Sequence, residues 1–310
     1  MAESTARDST KFPPGYGDFA LHCCDDVICH FPRYLLGYMS GFFKGMFELP
    51  DINGKNEQSR IIHEPLRLTE TSAVIELLLQ HIDPRTQHHE IDPDSIVDLL
   101  EAAQKYQVPT ITEWYENEVQ LKKTLVYTTS VPDQHGPLAP RPLLVTNPLL
   151  VLYCALRFNL PRSGQLALKE FTQCNAGVLE FTTNQISLQA YLHGMSLRRE
   201  QIELFRGFIA KLTKLKEVRG HRYNEIITTT DLDTKTCAKC TSARASWIFT
   251  LEAAVRQRPT WPSFVTAYEA SGRPCTRCGT SSWADYYREL LKDWEVKAKE
   301  MDQELPAWPY

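Results

Sequence analysis

Two short cysteine motifs late in the chain have the spacing of metal ligands: TCAKC, with Cys237 and Cys240, and PCTRCG, with Cys275 and Cys278. A CxxC turn sets two thiolates on one tetrahedral ion, and Gly279 allows the positive backbone angle that a metal knuckle often takes. Together the pairs make a complete four-sulfur structural site, so Zn2+ is the one cofactor expected. The alternative is four reduced thiols in surface turns, although the other five of the nine cysteines lack this spacing. A redox role is disfavoured because neither pair follows a strand in a βαβ pattern.

Catalysis has less to stand on. PCTRC is similar to the second half of the zinc nucleobase deaminase signature, and His88, His89 and Glu90 supply an H-x-E. That H-x-E falls in a different predicted domain, however, and four cysteines close the metal shell with no open position for water. No Ser/His/Asp, P-loop or dinucleotide fingerprint stands elsewhere. The chain therefore reads as non-enzymatic, with no catalytic residue. Lys211, Lys214, Lys216, Arg219 and Arg222 form a basic run ahead of the cysteines that would suit DNA. Its alternation with Leu212 and Leu215 is instead that of the solvated face of an amphipathic helix. Nucleic acid is not an expected partner.

The composition, 43% hydrophobic and 23% charged with a formal net charge of −4, is that of an ordinary globular protein without whole-molecule attraction to polyanions. The polar start MAESTARDST lacks a secretion pattern, and Leu143–Leu156 is too short and too interrupted to span a membrane. A cytoplasmic or nuclear location is expected, where cysteines stay reduced as core thiols or ligands.

The elements that must position these residues can be read along the chain. FALHCCDDVICHF gives two apolar runs around Asp25 and Asp26, a hairpin with an acidic turn. Pro65–Leu68 is a short strand, and Thr69 is placed to cap a helix with Val74, Leu77, Leu78 and Ile82 on its apolar face. Asp92 as N-cap and Pro93 open a helix with Ile96, Leu99, Leu100, Ala103 and Tyr106 inward, ended by Pro109. Thr110 and Glu113 have capping-box spacing for a further helix to about Leu121. A Pro-rich linker then leads to a helix over Asn147–Arg157, after a break at Asn159–Gly164 to a second that carries Leu166, Leu168 and Phe171, and to two more around Ile186–Leu192 and over Leu197–Val218. The tail between the cysteine pairs holds a helix over Ala243–Gln257.

The stretch FPRYLLGYMSGFFKGMFELP, Phe31–Pro50, is apolar yet carries Gly37, Gly41 and Gly45. Each glycine costs about 1 kcal/mol relative to alanine inside a helix, so one long helix is disfavoured. Ser40 as an N-cap divides it into two short helices, Pro32 to about Tyr38 and Gly41 to about Phe47. Leu36, Phe43 and Phe47 are then core, and the first helix with Arg33 and Tyr34 is the interface.

In order, the hairpin, the segment F-P-R-Y-L-L-x-x-x-S-x-x-F-x-x-M-F, the strand with Leu66 and Leu68, a Leu-rich helix and LLEAAQKYQV make Asp18–Leu121 resemble a BTB/POZ domain of the fungal type. The resemblance implies an α/β fold, a small sheet capped by short helices, that acts as a protein-interaction and often dimerisation module. It also implies that Asp18 and Arg33 meet in a charged pocket at the dimer interface; the plainer reading is a solvated Asp and a helix-start Arg. Pro32 stands where animal members usually carry a His, so their dimer geometry is not carried over. NPLLVLYCALRFNLPRSGQLALKEF and the cysteine tail are similar to the region C-terminal to this domain in fungal members. The expected organisation is a disordered 1–15, a BTB/POZ domain over 16–121, a linker over 122–146, an all-α block over 147–222 and a zinc-stabilised helical tail over 236–310. The partners implied are a second copy of the chain and unidentified proteins, with a cullin-type ubiquitin ligase, or DNA bound through the tail, as the alternatives.

Overall fold

The computed structural model of the chain describes residues 6–49, 64–86, 93–119, 143–179, 188–214, 238–270 and 288–310. They divide into two compact units, Met1–Thr146 with Cys154–Leu160, and Asn147–Tyr153 with Pro161–Tyr310.

The first unit is built on the predicted hairpin. Strands β2 (Phe19–His22) and β3 (Val27–Phe31) pair antiparallel with Phe19 opposite Phe31, and their alternation buries Phe19, Leu21, Val27, Cys29 and Phe31. At the turn Asp26 adopts a positive φ of 57°, a conformation short polar side chains tolerate. The short strand expected over Pro65–Leu68 is β4 (Leu66–Arg67), and it joins β2 in parallel. The other edge is unexpected: β1 (Arg7–Asp8) pairs in parallel with β3, giving the order β1-β3-β2-β4. Residues 7–16 thus belong to the fold rather than to a disordered start. Phe12 is sealed edge-on against Phe31 and Tyr16, and the Ser9 hydroxyl donates to Glu76 at 2.6 Å while accepting from the Phe12 N–H. A single apolar anchor in a polar segment hid this from the composition.

Helices α1 (Arg33–Met39) and α2 (Gly41–Glu48) meet at Ser40, as expected. The Ser40 hydroxyl accepts from the Phe43 N–H at 3.1 Å and donates to the Tyr106 carbonyl at 2.5 Å, so one side chain caps a helix and ties it to a distant one. Helix α3 (Ser72–Ile82) corrects the reading of Thr69 as its cap. Thr71 occupies that position without a side-chain bond, and Asp25 from the hairpin turn accepts from the Ser72 N–H at 2.9 Å and from its hydroxyl at 2.6 Å. The buried positions are Ile75, Leu78, Leu79 and Ile82, whereas Val74 and Leu77 are half-buried.

Helix α4 (Pro93–Lys105) buries Ile96, Leu99, Leu100 and Ala103, with Tyr106 just beyond. Its cap residue Asp92 lies outside the described residues. Pro109 does not end this helix: the chain leaves it at Lys105, turns through Gln107 at φ 53°, and Pro109 opens α5 (Pro109–Trp114). The Thr110–Glu113 capping box consequently does not form, since Val108 takes the cap position and makes no side-chain bond. A π turn over Tyr115–Val119 comes next. Within the expected linker, residues 122–142 are outside the described residues, and α6 (Leu143–Thr146) is a helical turn with Leu143 fully buried.

Helix α7 (Pro148–Phe158) starts where Asn147 accepts from the Leu150 N–H at 3.2 Å. The break after it is shorter than read: Asn159 turns at φ 55° and α8 (Pro161–Gln173) restarts at once, so Gly164 lies inside a helix. The two helices read over 186–218 are one, α9 (Leu188–Lys214). Gly194 does not break it; a Cβ there would lie 2.9 Å from the Phe171 ring, so glycine serves close packing of α8 on α9. Helices α10 (Ala238–Gln257), α11 (Trp261–Glu269) and α12 (Arg288–Gln303) follow among the described residues of the unit. Thr260 caps α11 through the Ser263 N–H. Helix α10 begins at Ala238, earlier than the expected Ala243.

One core joins what the sequence divided into a helical block and a tail. Phe205 and Phe208 of α9 pack with Trp247 of α10, Phe264 of α11 and Trp294 of α12, and Phe208 stacks on Trp294 with centroids 5.0 Å apart. Arg198, 4% exposed, donates to the carbonyls of Phe171, Thr172 and Cys174 at the C-terminal end of α8 and of Arg256 and Gln257 in the last turn of α10. Those carbonyls are the orphan acceptors of two helix C-termini, gathered on one guanidinium. No described helix is long and apolar enough to cross a membrane.

Candidate interaction surface

Helix α1 owes its position to residues on both sides of it. Leu36 and, from α2, Phe43 are fully buried, and Phe43 stacks on Tyr106 with ring centroids 5.4 Å apart. Asp18 fixes the start: its carboxylate accepts from the Arg33 backbone N–H at 2.8 Å, where a negative charge also complements the helix dipole. The Arg33 guanidinium extends over the Phe47 ring, 4.3 Å from its centroid, so Phe47 is half-buried beneath a cation rather than sealed in the core. Asp18 thus touches Arg33 through the backbone amide, while the guanidinium is directed to the Phe47 ring.

What α1 leaves outside is aromatic. Tyr34 is 74% and Tyr38 84% exposed, one helical turn apart, with Phe42 and Leu49 of the α2 region also exposed. Tyr34, expected at an interface, lies on the exposed surface, and Tyr38 shares that surface through its i+4 spacing from Tyr34. Beside them a groove of about 490 Å³ runs between the α1–α2 junction and α4–α5, lined by Tyr38, Lys44, Ala103, Gln107, Thr112 and Phe158.

The charged groups behind this face are committed to structure. Burial disfavours the Glu70 carboxylate, but Lys105 at 2.6 Å and the Tyr106 hydroxyl at 2.5 Å hold its pKa below the ordinary value. Burial and then Glu70 push the Tyr106 phenol far up. Arg85 forks onto the buried Asp83 at 2.8 and 2.9 Å, and with the Tyr16 hydroxyl holds its pKa at about 2. Arg157 pairs with Glu101 at 2.5 Å.

The cysteines of the described residues divide as core thiols and one surface group: Cys23, Cys29, Cys154 and Cys174 are buried and Cys24 is exposed. Burial pushes the thiols of Cys154 and Cys174 up to about 12 and about 11, which leaves them protonated and unreactive at neutral pH. No group of three or more metal-ligating side chains occurs among the described residues. The side chains of Cys237, Cys240, Cys275 and Cys278 lie outside them, as do His88, His89 and Glu90; only the backbone of Cys240 is placed, in the first turn of α10. Lys211 is exposed and Leu212 fully buried, as on the solvated face of an amphipathic helix.

Compared with known proteins, the chain matches the BTB/POZ domain family over residues 13–123. No curated protein matches it. The matched span covers the hairpin, α1 to α5 and β4, and the helical region after it extends beyond the match. Residues 13–123 are thus a BTB/POZ domain, a protein–protein interaction module, succeeded by a helical C-terminal region.

Proposed function

We propose that the chain is a non-enzymatic interaction protein that self-associates through α1 and docks a further protein, in the cytoplasm or nucleus. The observation that carries this reading is the outer face of α1, where Tyr34 and Tyr38 stand exposed on a helix whose Leu36 is locked in the core. Rigid exposed aromatics offer large contact area at small entropic cost, which is why they anchor interfaces. Asp18 and Arg33 border this face, and Pro32 stands at the N-cap position of α1. Light scattering across a concentration series tests the reading: the chain should be a dimer, and Tyr34→Glu with Tyr38→Glu a monomer of unchanged circular dichroism. A chain that is monomeric at every concentration, or a dimer indifferent to these substitutions and to Asp18→Asn with Arg33→Gln, overturns it.

The two CxxC pairs support a structural zinc ion held by Cys237, Cys240, Cys275 and Cys278, and the start of α10 beside Cys240 supports a knuckle leading into a helix. Metal analysis should find about one zinc per chain, lost in Cys275→Ser; folded protein without metal retires the site. A cullin recovered by cross-linking would assign an adaptor role, and salt-dependent retardation of a DNA probe by the full chain would assign transcriptional regulation.

A further inference from the structure

The last described segment, Leu305–Tyr310, has no secondary structure, yet it occupies a defined place on the helical unit. Its anchor is Trp308. A Cβ at Gly164 of α8 would lie 2.1 Å from Trp308 Cζ3 and 2.2 Å from Cη2, so the ring fills the space that glycine leaves. Glycine is a poor helix former, and here its use is a notch shaped to an indole. Tyr310 lies edge-on to Trp308, with centroids 5.2 Å apart, and 6.0 Å from the His193 ring of α9. Its hydroxyl donates to the Gln189 carbonyl at 3.4 Å.

The segment has the attributes of a ligand rather than of the core. The firm attachment of α12 ends before it, at Asp302, whose backbone carbonyl accepts from Lys169 Nζ and whose carboxylate accepts from Gln173 at 2.8 Å and Gln201 at 3.3 Å. Beyond that point Pro306 and Pro309 have no N–H to donate, and Leu305 and Tyr310 are 47% and 37% exposed. The Trp308 Nε1–H is shielded from solvent with no partner among the described residues. A donor left unpaired on docking regains its hydrogen bond in water on release, which weakens the hold of the strap.

We propose that the notch between α8 and α9 is a recognition site for a tryptophan flanked by prolines, occupied here in cis by Leu305–Tyr310, and that a partner bearing such a segment binds when this strap lets go. Proline preorganises an extended ligand and the indole supplies the apolar anchor, a mode common to short peptide motifs. Tethering gives the strap an effective concentration in the millimolar range, so the free site appears only when the strap is removed or displaced.

The test uses a dye-labelled LPAWPY peptide and the chain cut after Glu304, which keeps the Asp302 attachment. Fluorescence anisotropy should show saturable binding to the shortened chain and binding at least about 100-fold weaker to the full chain. Binding should vanish when the peptide's tryptophan is replaced by alanine or when the shortened chain carries Gly164→Val. A shortened chain with native circular dichroism that binds no peptide, or binds both peptides alike, overturns the proposal. Hydrogen exchange on the unmodified full chain gives an independent reading. Amides of the strap should exchange orders of magnitude faster than those of α8 and α9, and equal protection would mean that the strap is core and the proposal fails.

Discussion

The two units hold their elements in place differently. In the BTB/POZ domain the helices are short, and polar side chains reach across long sequence separations to fix them: Ser40 to Tyr106, Asp25 to Ser72, Ser9 to Glu76, Tyr16 to Asp83. In the helical unit the longest elements run 27, 20 and 16 residues, a continuous aromatic cluster supplies the cohesion, and polar fastening gathers at Arg198 and at Asp302. Short helices bury little apolar surface each and leave a large share of their backbone groups at ends, so they need many separate caps. Long helices need fewer, but each cap then carries more.

That contrast predicts unequal sensitivities. Arg198→Leu should be the most damaging, lowering stability of the helical unit by about 3–5 kcal/mol because two helix ends lose their shared donor. Denaturant unfolding followed through Trp247 and Trp294 fluorescence should show it, and a loss under about 1 kcal/mol would mean that the clasp is incidental. Ser40→Ala comes next, at about 2 kcal/mol in the BTB/POZ domain, since it removes a cap and leaves the Tyr106 carbonyl buried without its partner. A loss of the same size in the helical unit's transition would contradict the separation of roles.

The smallest effect concerns pH. Asp83 is depressed by Arg85 and Tyr16 to about 2, so its contribution is present above the unfolded carboxylate value near 4 and is lost as pH falls through about 2. Because Arg85 is largely exposed, the contribution after screening is about 1–2 kcal/mol. Asp83→Asn should remove it at neutral pH and flatten the acid limb of the domain's stability between about pH 4 and 2, measured by circular dichroism. An unchanged slope would show that the Arg85–Asp83 fork is not coupled to folding.

The same contrast explains what the sequence displays. Features set by neighbours along the chain were legible: the acidic hairpin turn, the Ser40 division, the inward face of α4, and an α1 surface containing Tyr34. Features set by distant partners were not. Thr69 had the residue type for a cap, but Asp25 takes the role from 47 positions away. Pro109 reads equally as a stop or a start, and the positive φ at Gln107 makes it a start. Gly164 read as part of a break, and α9 as interrupted between Leu192 and Leu197, because the rings that fill the missing side chains of Gly164 and Gly194, Trp308 and Phe171, are remote or on another helix. Nothing in the pattern around Arg198 distinguishes it from a solvated helix arginine.

The capping of α3 by Asp25 bears on how the BTB/POZ domain assembles. A helix that borrows its cap from a hairpin turn frays when formed alone, by an amount near the ~1 kcal/mol value of a cap, and becomes complete only when the hairpin is closed against it. Hairpin and helix should therefore gain hydrogen-exchange protection as one cooperative unit, and a fragment beginning at Pro65 should carry a weaker α3 than the intact domain.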